Sequence, residues 1–237
     1  MAADPLLHLA ELDGVPSGMA AARDAVDSLL RDRGLRRSGP GATAESLLRG
    51  AQASAALEGS DYELERLRDG VADPTSAAAV RLSTHVLGLL PVWQRSPVQA
   101  LARLHTVAAA GSGTAPGRPV SPAGVARLRS LAGSLSTPTQ APGMAVAAIV
   151  HAEIIAAAAF ESYNGLIARA AERLTLVTTG VDPASVIIPE AGHLAHGRQY
   201  QVCLRSYRDS ESSALQRWLL HAAAAYSAGA EAAADLI

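Results

Sequence analysis

Apolar residues recur along most of this chain at the spacing of a helix. In segments such as 19–33, alanine, valine and leucine residues lie three or four positions apart, which places them on one helical face. Only the short run 185–189 has the composition of a strand. The pattern predicts an all-α protein, with helices at about 19–33, 43–57, 61–67, 74–90, 96–110, 125–135, 144–160, 165–179, 199–207 and 211–234.

Prolines and glycines separate these predicted helices. Asp73 and Ser96 each precede a proline, which is typical of an N-cap followed by a first helical turn. Gly59 follows the helix 43–57 and is predicted as its C-cap. The segment 111–124, rich in glycine and proline, is predicted to be a long loop of the kind that is often functional or disordered. Further breaks are predicted at 16–18, 34–41 and 136–143.

The composition restricts the class of protein. The chain has 237 residues, 49% of them hydrophobic and 18% charged, which suits one or two packed domains and excludes a disordered chain. All 20 basic residues are arginine and the formal net charge is −2, so no overall field attracts nucleic acid or an anionic membrane. Cys203 is the only cysteine and cannot form an internal disulfide, which favours the cytoplasm.

The most apolar segment, 141–160, is about as long as a membrane-spanning helix. His151 and Glu153 lie in its middle, where an ionisable group costs ~2.5–3.5 kcal/mol even on the lenient insertion scale. We therefore predict a buried core helix and no contact with a membrane.

Neither the glycine-rich segment nor the arginine-rich segment of the chain indicates a cofactor. A phosphate-binding loop is suggested by Gly111, Gly113 and Gly117. Glycine-rich loops of that kind follow a strand, whereas a helix is predicted before this one. A basic cluster near residue 34 could bind phosphate, but three neighbouring aspartates dilute it, so we predict a solvated surface. This cluster comprises Arg31, Arg33, Arg36 and Arg37.

Histidines and carboxylates suggest a metal site only weakly. His193 and His196 lie three positions apart, and His151 with Glu153 offers further ligands. A metal site needs three or four ligands in fixed geometry, and the spacing does not bring these two pairs together. We therefore predict no metal site. Cys203 has no local signature of a nucleophile.

The strongest constellation is split between two places. Ser54 is followed four positions later by Glu58 and then by Gly59, at the end of a predicted helix. Asn164 and Gly165 begin another helix, where free N–H groups and the helix dipole can hold an anion. Arg169 lies one turn further along the same face. An ordinary helix–turn–helix explains the same spacing.

These residues carry a resemblance to the Fic (filamentation induced by cAMP) family of α-helical proteins. The family motif reads H-P-F-x-[DE]-G-N-G-R-x-x-R, and Phe160, Asn164, Gly165 and Arg169 match it without gaps. Ser54, Glu58 and Gly59 resemble the [ST]-x-x-x-E-[GN] inhibitory helix of one class. The composition, rich in arginine and without lysine, looks like that of an actinobacterial member of the family. Weaker matches, in the family's order, are Leu104 with His105, Pro116–Arg118, His151 with Glu153, Tyr200 with Leu204, and Trp218 with His221.

The resemblance implies an enzyme that transfers AMP from ATP to a hydroxyl group of a target protein. In the family the motif histidine is the general base, the acidic residue holds Mg²⁺, and the Asn-Gly-Arg loop binds phosphates. Here those positions are Ala158, Ser162 and Leu166, and Tyr163 replaces the first motif glycine. Loss of a general base alone typically costs 10²–10⁴-fold in rate. We therefore expect a degenerate Fic-fold protein that lacks adenylyl-transfer activity. We assign no catalytic residue and expect no bound Mg²⁺.

This interpretation leads to several expectations. The protein would act by binding an unidentified protein partner or a nucleotide such as ATP at Asn164, Gly165 and Arg169. The alternatives are an active transferase that uses His151, Glu153 or Glu161 in place of the lost base, and a structural regulator that docks through the loop 111–124. We also expect a direct Glu58–Arg169 ion pair and consider a homodimer. The resemblance implies an N-terminal helical region, 1–95, with the inhibitory-like motif at 54–59, and a Fic-like core, 96–237, with a loop or hairpin as a flap.

Overall fold

Every regular element that the structure describes is helical. The structure is a computed structural model that describes residues 4–31, 33–113 and 115–236. Two short 3₁₀ turns, Val86–Leu89 and Ala234–Leu236, accompany the α-helices. The predicted all-α class is therefore confirmed. The helices are α1 (Pro5–Ala10), α2 (Val15–Arg31), α3 (Arg33–Leu57), α4 (Leu64–Arg68), α5 (Pro74–His85), α6 (Leu90–Arg95), α7 (Pro97–Ala108), α8 (Pro122–Leu135), α9 (Gly143–Ala157), α10 (Asn164–Thr178), α11 (Pro189–Ala195), α12 (Gly197–Arg208) and α13 (Ala214–Glu231).

The helix ends follow the predicted capping chemistry in part. The Asp73 side chain accepts hydrogen bonds from the Thr75 and Ser76 amides at the start of α5, and Gly59 has the positive φ of a C-cap, 92°. Ser96 is the N-cap of α7, as predicted, but its side chain makes no capping hydrogen bond. Ser121 caps α8 instead, by accepting from the Gly124 amide.

Three predicted breaks lie differently in the structure. Residues 16–18 belong to the first turn of α2, where a proline needs no hydrogen-bond donor. The break at 34–41 is a kink within α3, at Gly39 with φ 9° and ψ −93°. Helix α9 ends at Ala157 rather than at Phe160, because Ala158 adopts the left-handed conformation with φ 40°.

The run 185–189 is not a strand. Its backbone groups bond to neighbouring helices instead: Ser46 Oγ donates to the Ile187 carbonyl at 2.9 Å, and the Ile188 amide donates to the Gly229 carbonyl at 3.0 Å. The apolar side chains of the run are buried. A buried connection needs the same apolar residues as a buried strand, which is why the pattern misled the prediction.

Helices α9 and α10 pack against each other at the centre of the molecule. Helix α9 is buried over most of its length, as expected for a helix that is apolar on all sides. One apolar cluster joins it to α2 and α13, and a second joins it to α5, α7 and α10. Both clusters draw on residues before and after position 95, and the division into two regions stays a prediction. None of the described helices has the length and apolar character needed to cross a membrane.

One face of α3 carries a regular series of polar and small residues that points at α10. We call Ser46, Gly50, Ser54 and Glu58 the α3 polar stripe, since each lies four positions after the last. Ser54 and Glu58 bond to Arg169 of α10, and Ser46 bonds to Arg173. A side chain at Gly50 would place its Cβ 2.7 Å from an Arg173 nitrogen. The stripe therefore sets how α3 docks on the core.

The packing of α9 distinguishes two neighbouring isoleucines. The apolar pattern of α9 predicts that an aspartate at either Ile154 or Ile155 prevents folding, but only Ile154 is buried, whereas Ile155 is partly exposed. We now expect Ile154→Asp to lose the cooperative thermal transition seen by circular dichroism, because an unpaired buried carboxylate costs several kcal/mol. Ile155→Asp should fold, with a lower melting temperature. Equal melting temperatures for the two variants would contradict this placement of α9.

Candidate functional site

The loop between α9 and α10 is closed by one side chain. Asn164 accepts a hydrogen bond from the Phe160 amide through Oδ1, at 3.1 Å, and donates to the Phe160 carbonyl through Nδ2, at 2.8 Å. Tyr163 precedes the helix in the left-handed conformation, with φ 61°. The predicted role of Asn164 as an anion ligand stays a prediction. In this arrangement its amide holds the loop in shape.

Arg169 lies one turn into α10, and its guanidinium is buried, with 1% of the residue exposed. It donates four hydrogen bonds: from Nε to Ser54 Oγ at 2.7 Å, from Nη2 to the Ser54 carbonyl at 3.0 Å and to Glu58 Oε1 at 2.6 Å, and from Nη1 to the Tyr200 hydroxyl at 2.8 Å. Burial opposes the charge, but Tyr200 and Glu58 outweigh it and raise the pKa of Arg169. The guanidinium thus joins α3, α10 and α12.

The predicted Glu58–Arg169 ion pair is confirmed, at 2.6 Å. Glu58 follows the last turn of α3, and its side chain is 37% exposed at the rim of the site. Gly165 makes the approach possible, since a Cβ there would lie 1.9 Å from Glu58 Oε1. The carboxylate therefore lies against the first turn of α10, where helix N–H groups favour an anion.

A chain of buried polar groups continues inward from Arg169. The Tyr200 hydroxyl lies 3.0 Å from His151 Nε2, and His151 Nδ1 lies 2.9 Å from a Glu172 carboxylate oxygen. Burial lowers the pKa of His151 and raises that of Tyr200 to about 12, so both are neutral near pH 7. A consistent assignment has His151 Nδ1–H donating to Glu172 and Tyr200 O–H donating to His151 Nε2.

Glu172 accepts from three directions. Besides His151, the Tyr226 hydroxyl donates to it at 2.8 Å, and His193 Nε2 lies 3.1 Å from the carboxylate. Burial opposes ionisation, but His151 and His193 outweigh it and hold the pKa of Glu172 below its usual range. His193 in turn contacts His221. Glu172 was not among the residues predicted from the sequence, because its partners are distant in the chain and no fixed spacing links it to them.

A cleft of about 170 Å³ opens beside the ion pair. Glu58, Gly165 and Tyr200 form part of its lining, together with Arg205 and Arg208 from α12. Two arginines and a helix N-terminus make this cleft suited to an anionic ligand. The Glu58 carboxylate lies at the point where such a ligand would approach Arg169.

The comparisons with known proteins concern the fold. No protein-family model matches the chain, and no curated protein matches it in sequence. A solved Fic family protein from Desulfovibrio desulfuricans G20 matches with a TM-score of 0.77 and 16% identity, over 99% of this chain and 76% of that one. Two structures of Fic-1 from C. elegans, one a single-residue variant, match with TM-scores of 0.70 and 0.69 and identities of 15% and 16%. These two matches cover 94% and 92% of this chain, and 72% and 71% of the respective Fic-1 chains.

The chain has the Fic fold. At 15–16% identity this likeness concerns the architecture alone, and it bears out the fold that the motif residues implied. In this Fic fold the predicted flap, 111–124, contains no strand among its described residues. Its last three residues, 122–124, form the first turn of α8, and the described residues before them form a loop. This loop bonds to the core where the Val120 amide donates to the Ala159 carbonyl at 2.8 Å.

The positions at which the Fic motif is broken lie in different surroundings. Ala158 is exposed at the end of α9 and carries only a methyl group. Ser162 is partly buried, and its hydroxyl is enclosed without a hydrogen-bond partner. Leu166 is 2% exposed and packs in the second apolar cluster. An arginine at that position would enter the core.

The residues proposed as substitute bases are engaged elsewhere or lie apart. His151 is fully buried and bonded through both ring nitrogens. Glu153 accepts two hydrogen bonds from Arg127, at 2.7 and 2.8 Å, and another from Tyr207. Glu161 is exposed on the loop. His151 and Glu153 do not form a common ligand set, whereas His151 and His193 meet at Glu172.

His105 connects the flap to the motif loop. Its ring stacks on Phe160 with centroids 4.5 Å apart, and its Nδ1 accepts a hydrogen bond from the Gly117 amide at 2.8 Å. The remaining nitrogen, Nε2, is buried without a partner. Because Nδ1 must lack a proton to accept this bond, neutral His105 carries its proton on Nε2. His105 in this position is no general base.

The other residues singled out from the sequence lie away from the cleft. Cys203 is fully buried, and burial raises the pKa of its thiol, which suits a packing role. His196 is exposed. The glycine-rich segment follows the helix α7, as expected for an ordinary loop. In the basic cluster, the side chains of Arg33, Arg36 and Arg37 lie outside the described residues.

Gly165→Ala should displace Glu58 from Arg169. The added Cβ would overlap Glu58 Oε1, and we expect a loss of ~1–3 kcal/mol in the free energy of unfolding, as for other overpacked sites. Gly133→Ala is the matched control, since it is exposed on α8 with nothing within 4 Å of the new Cβ, and it should gain up to ~1 kcal/mol. Urea unfolding measures both.

A double-mutant cycle tests the cause. If Glu58 is the group displaced, Gly165→Ala should cost little in a Glu58→Ala background. An unchanged cost in that background would show that the alanine disturbs something other than the ion pair.

The stability that His105 contributes should depend on pH. Burial lowers the pKa of His105, although Glu161 partly opposes this. The folded state therefore prefers neutral His105, so this contribution is complete above the unfolded pKa of about 6.5 and is lost as the pH falls below it. Glutamine can accept the bond from Gly117 and does not titrate. Urea unfolding between about pH 7.5 and 5.5 should show a steeper loss of stability for the wild type than for His105→Gln, and parallel curves would contradict this.

Proposed function

We propose that this Fic-fold protein does not catalyse adenylyl transfer and acts instead by binding a nucleotide in the cleft beside Glu58 and Arg169. The observation that carries the proposal is Ala158, the methyl group at the position of the motif base. A methyl group cannot accept a proton, and general-base help is typically worth 10²–10⁴-fold. Ser162 and Leu166 also lack the carboxylate and guanidinium of the motif.

The surroundings of Ala158 support the loss of catalysis. His151 and Glu153, two of the three alternative bases, are committed to buried or bidentate hydrogen bonds. His105 uses its acceptor nitrogen for the Gly117 amide. An active transferase would have to rely on Glu161, whose exposed carboxylate has no described partner to orient it. We therefore favour binding over an altered transfer reaction.

The binding half of the proposal follows from the state of Arg169. Ser54 and Tyr200 hold the guanidinium in place independently of Glu58. If the Glu58 side chain turns outward into solvent, an edge of Arg169 and the first turn of α10 become free for a phosphate group. Arg205 and Arg208 add positive charge to the same cleft. A protein partner and a homodimer stay predictions.

Nucleotide binding and transfer are tested separately. Melting temperatures with ATP, ADP and AMP, each with and without Mg²⁺, should rise more for Glu58→Ala than for the wild type, because the carboxylate no longer competes with phosphate. Glu11→Ala, which removes an exposed carboxylate outside the cleft, should behave like the wild type. Labelled ATP with a cell lysate should label no protein.

Two results would overturn these claims individually. Label transfer that is lost in Asn164→Ala would show a working active site and end the non-catalytic interpretation. No stabilisation of Glu58→Ala by any of the nucleotides would remove the nucleotide as the ligand.

A further inference from the structure

Three helices bring metal-ligand side chains to one buried point. His151 of α9, Glu172 of α10 and His193 of α11 place their ligand atoms within 4.8 Å of one another. His151 Nδ1 and His193 Nε2 lie 2.9 and 3.1 Å from the same carboxylate oxygen. All three side chains are fully buried.

Each of these groups is oriented by a partner on its far side. His151 Nε2 lies 3.0 Å from the Tyr200 hydroxyl, and His193 Nδ1 lies 3.1 Å from His221 Nε2. The second oxygen of Glu172 accepts from Tyr226. In metal sites, hydrogen bonds of this kind fix the ring orientation and tautomer of each histidine ligand.

The charge of Glu172 is not met by either arginine of its own helix. Arg169 is bonded to Glu58, and Arg173 is bonded to Glu190 at 2.6 Å. A buried carboxylate is stable only when cations or several hydrogen-bond donors surround it. At present the contacts with His151, His193 and Tyr226 meet this requirement. A divalent cation between Glu172 and the two imidazoles would meet it in place of the two imidazole contacts.

We propose that His151 Nδ1, Glu172 and His193 Nε2 form a binding site for a divalent first-row transition-metal ion, and specifically for Zn²⁺. Two imidazole nitrogens and one carboxylate suit Zn²⁺, whereas Mg²⁺ and Ca²⁺ prefer oxygen ligands throughout. Because the ligands are fully buried, the ion stabilises the fold by joining α9, α10 and α11. The site is joined to the cleft through Tyr200, which lines the cleft and bonds to His151, but the proposal does not depend on the proposed function.

Coordination requires the three ligand atoms to move. Zinc–nitrogen bonds of about 2.0–2.1 Å separate tetrahedral ligand atoms by about 3.3 Å, so the two contacts to Glu172 must widen by about 0.2–0.4 Å. The two imidazole nitrogens, which lie within 4.8 Å of each other, must settle at the same separation. Each imidazole gives up the N–H that now faces Glu172 and carries its proton on the opposite nitrogen. His151 Nε2 then donates to the Tyr200 oxygen, which already accepts from Arg169, so the Tyr200 proton must turn away from His151. His193 Nδ1 donates to His221 Nε2, which requires His221 to carry its proton on Nδ1.

The experiment uses the full chain, purified without a histidine tag, equilibrated with zinc sulfate and then dialysed. Elemental analysis should find about one zinc ion per chain in the wild type. The zinc content of His193→Asn should be lower than that of the wild type by about tenfold or more. His196 is exposed and lies three positions away, so His196→Asn should retain as much zinc as the wild type. A zinc chelator should lower the melting temperature of the wild type and of His196→Asn by about 5 °C or more, and zinc should restore it.

A second measurement needs no variant. Cobalt(II) added to the metal-free wild type should give visible absorption bands typical of bound, low-symmetry cobalt, and zinc should abolish them. The proposal is overturned if the wild type retains less than about a tenth of a zinc ion per chain, if chelation leaves its melting temperature unchanged, or if the cobalt bands are absent. The cluster is then a hydrogen-bond network around Glu172.

Discussion

The buried guanidinium of Arg169 is the constraint on which the arrangement of this molecule depends. Arginine stays charged in proteins, so every buried guanidinium must find acceptors. Arg169 finds them on Ser54 and Glu58 of α3 and on Tyr200 of α12, which lie 115, 111 and 31 positions away in the sequence. This charge therefore ties the end of α3 to the core, in addition to the two apolar clusters that hold the N-terminal helices.

The pairing also gives a physical reason for Glu58 and Arg169 to stay together in the function that we propose. Removing one partner of a buried ion pair costs about 3–5 kcal/mol, because the other charge is left unpaired. Ala158 and Ser162 carry no such penalty, since they lie at the exposed end of a helix and in a loop. If the protein does not catalyse transfer, as we propose, the motif loop tolerates the substitutions that end catalysis, while Glu58 and Arg169 remain as structural partners.

The sequence predicts those features that depend on local spacing. Helical periodicity, the Asp73 cap and the left-handed Gly59 follow from residues close together in the chain. The Glu58–Arg169 pair was predictable from the resemblance to Fic proteins. Glu172 was not, because its importance comes from side chains on α9, α11 and α13 that only the fold brings together. The run 185–189 was misread, since burial calls for apolar residues in a connection as much as in a strand.

The α3 polar stripe has a consequence for the assembly of the two helices. Its residues meet α10 in antiparallel order: Glu58 at Gly165, Ser54 at Arg169, and Ser46 with Gly50 at Arg173. Sliding α3 by one turn in one direction would bring Gly50 opposite Arg169, and in the other would drive Glu58 into the buried position of Ser54. The first slip would leave Arg169 without its carboxylate, and the second would bury Glu58 fully and take it away from Gly165. The polar contacts and the close fits at Gly50 and Gly165 therefore favour a single register for this helix pair.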